Sequence, residues 1–261
     1  MTKILTKKLS KNLKENGYIF VPITNINKIF IVKVKTIIDE YLSKNKISLH
    51  KLDDNRFSKH IFRLQNIINK KISIYEFFYN NKQLFKNILN TDHIASQYYF
   101  YLRCFKPNKN SKIYKPITFH RETFQGPEFF KNIYNLWIPI ANCSKKNALK
   151  FIEKSHNYTV GKDFNIKVKS TNIKKKSFGH KTGLLYQDRK LKFNKPVKYN
   201  FLYKKNNFII FSGELIHGNA KNYSNKIRFS IDLRFMSKNN MKFNPIQSSS
   251  NKKYFKILKI K

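Results

Sequence analysis

Acid is what this chain most lacks: 14 Asp and Glu stand against 54 Lys and Arg in 261 residues, a formal net charge of +40. Cysteine is nearly absent, and the two present, Cys104 and Cys143, can build neither a disulfide framework nor a zinc knuckle. Seven Gly and seven Pro are too few for a collagen-like or low-complexity chain. No apolar run approaches the ~20 residues that span a bilayer; the candidates are short, such as Ile29–Val32 and Phe208–Phe211. The stretch Met1–Gly17 scatters lysines through its length and holds no apolar segment of signal-peptide size. These shortages lead us to expect a soluble, reduced, cytoplasmic protein with no membrane partner.

What is present is enough for a core. The chain is 41% apolar and 15% aromatic, so disorder is excluded, and its length fits one domain over 1–261. The charge invites a nucleic-acid partner, because Lys and Arg release counterions from phosphate backbones. Yet only seven of the basic residues are Arg, the residue that reads phosphates and bases bidentately. The lysines are spread along the chain, while Lys, Asn, Ile, Phe and Tyr abound and Ala occurs only at 95, 141, 148 and 220. That bias is what AT-rich coding produces. No specific nucleic-acid partner is expected, though a positive field favours anionic small substrates.

The pattern along the chain changes near residue 94. Before it, apolar spacing predicts helices over Leu5–Glu15, Asn27–Leu42, Ile61–Asn69 and Ile74–Leu89, with a short strand at Tyr18–Pro22 after the Asn16-Gly17 stop. After it come short β-rich segments: Tyr98–Phe105, Ile117–Phe124, Ile133–Ile140, Ala148–Glu153, Phe208–Phe211 and Ile227–Phe235. The reading is about 1–93 helical, a β core over about 94–236, a lysine-rich loop or lid at about 157–207, and a tail over 237–261. Antiparallel segments of this kind form a sandwich or barrel.

Three segments hold the chemistry. In FHRETF, read as a strand, His120 and Glu122 project to one face, which is two thirds of a 2-His-1-carboxylate iron site. In the second segment a strand and the Ser212-Gly213 turn lead to His217. In the third, Ile227, Phe229, Ile231, Leu233 and Phe235 alternate with Arg228, Ser230, Asp232 and Arg234. A polar face of four is either a solvent-facing edge or the wall of a wet cavity. In the second case Arg228 holds a carboxylate bidentately, with the Ser230 hydroxyl as a further donor. Arg228 has no evident partner in the local sequence, and Asp232 could pair with Arg234. His50, His60, His93 and His180 have no partner at ligand spacing.

The set His120-x-Glu122, His217, Arg228 eleven positions on and Arg-x-Ser at 228–230 resembles the Fe(II)- and 2-oxoglutarate-dependent dioxygenases, and within them the phytanoyl-CoA dioxygenase family. ENGYIFVPI (Glu15–Ile23) and NLWIPI (Asn135–Ile140) look like family segments. NALKFIEKSH (Asn147–His156) is similar to a stretch that usually reads Pro-Gly-Ser-His, with Glu153-Lys154 replacing Pro-Gly. The resemblance covers roughly residues 11 to 236. FHRETFQGPEFF with NLWIPI looks like a bacterial subgroup found among carbohydrate-biosynthesis genes. The resemblance implies a mainly β fold: a double-stranded β-helix (jelly-roll, cupin-like) core with N-terminal helices on its major sheet. It implies Fe(II) on His120, Glu122 and His217, with O2 and 2-oxoglutarate as co-substrates. Arg228 and Ser230 would hold the far carboxylate, Trp137 and Asn219 would line the pocket, and His156 would not be a ligand. The expected reaction hydroxylates or desaturates a C–H bond of a small, anionic or carbohydrate-linked substrate such as a sugar or nucleotide sugar. Glu122 departs from the family's Asp but still ligates, and a carboxylate there argues against halogenation. The competing classes are a non-catalytic jelly-roll binding protein and a basic nucleic-acid-binding protein.

Overall fold

The computed structural model describes residues 3–107, 119–125, 131–169, 188–241 and 255–260. Helix α1 (Lys3–Asn16) stops at Gly17, which takes a left-handed φ of +78°. A Cβ there would fall 2.4 Å from Nδ1 of His156, so both the conformation and the close approach require glycine. Helix α2 (Asn25–Lys44) starts at Thr24, whose hydroxyl accepts from Asn27 N, and α3 (Asp54–Lys71) starts at Asp53, which accepts from Arg56 N at 2.8 Å. The segment expected as one helix over Ile74–Leu89 is two, α4 (Ile74–Asn80) and α5 (Lys82–Leu89). The break falls at buried Asn81, whose amide donates to Phe77 O and exchanges two hydrogen bonds with Asn27 of α2. A side chain that competes for backbone groups in this way ends a helix.

Twelve strands follow one another among the described residues: β1 (Tyr18–Pro22), β2 (His93–Gln97), β3 (Tyr101–Phe105), β4 (Tyr134–Ala141), β5 (Leu149–Ile152), β6 (Phe164–Lys169), β7 (Asp188–Phe193), β8 (Tyr199–Leu202), β9 (Asn207–Ser212), β10 (His217–Asn219), β11 (Arg228–Ser237) and β12 (Phe255–Lys259). The major sheet runs β1-β9-β4-β11-β2-β12, with β3 also on β11; the minor sheet is β10-β5-β8. All these pairs are antiparallel. The architecture is therefore a mainly β jelly-roll core with flanking helices. One major-sheet face (Leu136, Ile138, Phe229, Ile231, Leu233, Phe235) joins the helices in the large core. Trp137, Ile209 and Phe211 on the other face meet Leu149, Phe151 and Leu202 of the minor sheet.

Four further details differ from the sequence reading. The stretch Tyr98–Phe105 is a strand only from Tyr101, because the Asn69 side chain of α3 binds both N and O of Phe100 and pins a bend there. The lysine-rich segment is not one loop: it holds the β6–β7 hairpin and β8, while residues 170–187 lie outside the described residues. The expected tail returns as β12, which pairs with β2 from His93 to Gln97. FHRETF is not a strand either. His120 forms an isolated bridge, and Glu122–Gln125 is a 3-10 turn; residues 117 and 118 lie outside the described residues.

Candidate metal centre and cavity

Strand alternation does not bring His120 and Glu122 together; two backbone connections do. His120 and His217 exchange both backbone hydrogen bonds, His120 N to His217 O at 2.9 Å and the reverse at 3.0 Å. Residues directly opposed in an antiparallel pair put their side chains on one face, and the two rings lie 4.5 Å apart. Glu122 N then donates to Gly213 O, and Gly213 N to Ile133 O, so the turn carrying Glu122 is stitched to the β9–β10 connection. A Cβ on Gly213 would sit 2.3 Å from Ile133 Cγ2 and 3.3 Å from Glu122 Cβ. One donor atom from each of His120, Glu122 and His217 falls within 4.8 Å of the others.

The protonation states suit a cation. Burial pushes His217 down to about 3, with His120 adding to the effect, so its imidazole is neutral and has a lone pair to give. Its Nδ1 faces Leu215 O at 2.8 Å, which assigns Nδ1 as the donor and turns Nε2 toward Glu122 Oε1 at 3.8 Å. Burial alone would raise the Glu122 carboxyl, but the Arg234 guanidinium above all outweighs it and holds the group below its usual range. Arg234 Nη2 lies 2.6 Å from Glu122 Oε2, while Oε1 faces the histidines. Arg234 thus occupies one carboxylate oxygen and leaves the other for an ion.

The inner face of the major sheet is a ladder of rows read from register. Arg228 stands opposite Phe105; Ser230 lies between Arg103 and Pro139; Asp232 lies between Tyr101 and Trp137; Arg234 stands opposite Asn135. The polar stripe of β11 therefore lines an interior, because β11 is a central strand with β4 on one side and β3 and β2 on the other. Arg228 is 1% exposed and its guanidinium lies over the Phe105 ring at 4.2 Å. Nη1 donates to Asn147 O at 2.7 Å and Nη2 to Asn219 Oδ1 at 3.1 Å. Its Nε, the Ser230 hydroxyl oxygen and Trp137 Nε1 are buried with no hydrogen-bond partner among the described residues. The expected Asp232–Arg234 pair does not form: Asp232 Oδ2 takes Arg103 Nε at 2.7 Å, and Arg234 goes to Glu122.

A cavity of about 50 Å3, room for a few waters, opens beside the three metal-ligand candidates. Asn219 lines it with Gln97, Tyr101, Arg103, Asn135 and Asp232. Arg228, Ser230 and Trp137 are not on its wall; Arg228 is joined to it through Asn219. The sequence reading missed the β2–β3 contribution, Gln97, Tyr101 and Arg103, because only the register with β11 brings those residues to the site. It also missed Arg234 as the partner of Glu122. Of the other histidines, His156 donates from Nε2 to Lys14 O and packs on Gly17, His60 meets the Tyr41 hydroxyl, His93 contacts Asp92, and His180 lies outside the described residues. No described helix is long and apolar enough to cross a membrane.

No family model matches the sequence, and no curated protein sequence matches it. Solved structures do share the fold. EvdO2 from Micromonospora carbonacea var. aurantiaca aligns over 88% of this chain and 90% of its own, at 11% identity and a TM-score of 0.54. The non-heme alpha ketoglutarate dependent carbocyclase SnoK from nogalamycin biosynthesis aligns over 97% and 96%, at 10% identity and a TM-score of 0.50.

Proposed function

We propose that the protein is an Fe(II)- and 2-oxoglutarate-dependent oxygenase of the phytanoyl-CoA dioxygenase type, acting on a C–H bond of a small substrate. The observation that carries this reading is the buried His120–Glu122–His217 cluster: two imidazoles and one ionised carboxylate on one face is the donor set of a non-haem iron site with open positions. A fold shared with an alpha ketoglutarate dependent enzyme supports it. So does Lys154, which stands where the resemblance has Gly and keeps the left-handed φ of 54° that a glycine would supply.

The residues present fit both groups. His120 Nε2 or Nδ1, His217 Nε2 and Glu122 Oε1 would hold the ion, and Arg234 would keep Glu122 to one oxygen so that positions stay open for co-substrates. Arg228, Ser230 and Trp137 carry buried polar atoms with no hydrogen-bond partner among the described residues, an arrangement that costs free energy unless a ligand satisfies it. An elongated dianion reaching from the ion toward Arg228 would do so, with Asn219 marking the way in. The bound iron, with O2 and 2-oxoglutarate, supplies the oxidising power, releasing succinate and CO2 while the substrate is hydroxylated or desaturated. The protein's part is to position these components, to exclude bulk water and to keep Glu122 ionised and His217 neutral. The two free thiols, Cys104 buried and Cys143 half-buried, suit a reducing compartment such as the cytoplasm.

The test is anaerobic reconstitution with Fe(II), then 2-oxoglutarate, then O2. Iron at one equivalent, a visible iron–2-oxoglutarate charge-transfer band and succinate release that needs both components are expected. Stoichiometric protein that takes up neither iron nor 2-oxoglutarate would overturn the reading and leave a jelly-roll binding protein.

A further inference from the structure

The residues that interleave with the three metal-ligand candidates do not line the cavity; they are tied to one another behind it. Arg121, between His120 and Glu122, is 5% exposed. Its guanidinium lies over the Phe164 ring at 5.0 Å. Nη2 donates to Ser155 O and to Tyr158 O, and Nη1 meets Glu214 Oε2 at 3.5 Å. The same Glu214 oxygen accepts from Thr123 Oγ1 at 3.0 Å. The residues on both sides of Glu122 therefore hold one carboxylate of the β9–β10 connection, three positions before His217.

Ser155 closes the circuit. It is fully buried and opens the 3-10 turn Ser155–Asn157, just beyond β5. The β5–β10 register, His217 opposite Phe151, continues to Ile216 opposite Ile152, and a regular hydrogen-bonded pair would exchange both backbone bonds. Ile152 N does donate to Ile216 O at 3.0 Å, but Ile216 N donates to Ser155 Oγ at 2.8 Å. A side-chain hydroxyl thus completes the rung immediately before the ligand. The carbonyl of the same residue accepts Arg121 Nη2 together with Tyr158 N, which uses both of its lone pairs. One buried residue grips the His120–Glu122 segment with its backbone and the His217 strand with its side chain. Electrostatics gives no reason for a buried cation at this place, since a guanidinium beside a cation site repels the ion and is costly to bury. What Arg121 contributes is a rigid fork that reaches a carbonyl and a carboxylate at once.

We propose that Ser155 and Arg121 are the positioning residues of the metal centre: through each other they fix the separation of His217 from His120 and Glu122, and so the size of the site. This rests on the metal reading of the His120–Glu122–His217 cluster. Neither residue lines the cavity, so both act through the ligands they hold in place.

The measurement is Mn(II) affinity by calorimetry on the full chain, well below each variant's melting temperature, with the visible spectrum of the Co(II)-loaded protein as a report on ligand geometry. Ser155→Ala strands the Ile216 N–H and should weaken Mn(II) binding about tenfold, the lower end of what changes behind a metal's ligands cost. Arg121→Met should weaken it by about the same factor, although removal of a neighbouring positive charge would by itself tighten it. The sign of that change separates geometry from charge. Arg121→Lys keeps the charge but cannot bridge Ser155 O and Glu214, so it should recover little of the loss. The Ala and Met variants should both shift the Co(II) spectrum. Leu84→Ala, a core truncation in α5, should melt lower yet keep the affinity and spectrum of the wild type. Unchanged affinity in Ser155→Ala, tighter binding by Arg121→Met, or an equal loss in Leu84→Ala would overturn the proposal; if Arg121→Met does not fold, Ser155→Ala decides. A wild type that binds no divalent ion overturns the oxygenase reading and this proposal with it. A wild type that binds the ion, with variants that match it, overturns this proposal alone.

Discussion

Arg234 is where the metal reading makes its sharpest physical demand. Glu122 is 2% exposed and ionised, and in the metal-free protein its chief counter-charge is Arg234 at 2.6 Å. Removing one partner of a buried pair typically costs ~3–5 kcal/mol, because the remaining charge is stranded. Arg234 keeps 18% of its side chain exposed, so the lower end, about 3 kcal/mol, is the better expectation. Arg234→Met keeps the apolar stem and removes the guanidinium. At roughly 2–4 °C per kcal/mol for a chain of this size, the metal-free variant should melt about 6–12 °C below the wild type. A bound divalent ion supplies the missing positive charge, so adding Mn(II) should recover most of that deficit, stabilising the variant more than it stabilises the wild type. Metal affinity is then linked to stability in the same measurement. Differential scanning calorimetry of both proteins, with and without Mn(II), reads this directly. If the variant melts with the wild type without metal, or if Mn(II) shifts the two equally, the coupling of Arg234 to the metal carboxylate is wrong.

Other consequences are quicker to state. His120→Ala or His217→Ala should each abolish iron binding and turnover, since two protein ligands hold the ion weakly, whereas Glu122→Asp should retain part of both; metal analysis with succinate assay checks this. Arg228→Ala should raise the apparent 2-oxoglutarate constant roughly 30-fold or more, the loss of about 2 kcal/mol or more for a truncated charge contact, and Arg228→Lys should fall between. Because Arg228 also holds Asn147 O and Asn219, the Ala variant should melt lower as well, so the constant must be read on folded, iron-loaded protein. Gly213→Ala should cost ~1–3 kcal/mol by overpacking against Ile133 and should weaken metal binding by displacing the Glu122 turn, measured as a parallel drop in melting temperature and iron content.

How much of this was legible in the chain depends on whether the information was local. Strand β11 was read nearly to its ends, and its polar and apolar faces fell as the alternation requires, because period-2 patterning is written residue by residue. The helix at Ile74–Leu89 was misread as continuous because what breaks it is Asn81 meeting Asn27, a partner 54 positions away. FHRETF shows the same limit more strongly. Its residues were right and its geometry wrong: His120 and Glu122 converge through a two-bond bridge to His217 and a turn hung on Gly213, neither visible in a six-residue window. β12 was missed because its partner is β2, more than 150 residues earlier in sequence.

The same distinction explains which parts of the site the motif could name. His120, Glu122, His217 and Arg228 are chemistry-bearing residue types at intervals that resemble those of the dioxygenases, so the resemblance could single them out. Arg103, Tyr101 and Gln97 bear on the site only through register: Arg103 reaches Asp232 because Ser230 sits opposite it, and a slip of one residue would turn Arg103 into the helix-packed core and bring Leu102 or Cys104 to the cavity. The stripe Arg228, Ser230, Asp232 and Arg234 reads from sequence as a solvent-facing edge or a cavity wall, with Asp232 able to pair along the strand with Arg234. The structure pairs across strands instead, Arg103 with Asp232 and Glu122 with Arg234. Those two crossed pairs divide one face: the Glu122 pair fixes the carboxylate proposed to hold the metal, and the Asp232 pair, with an acceptor oxygen left over, is the part that the proposed metal centre does not use.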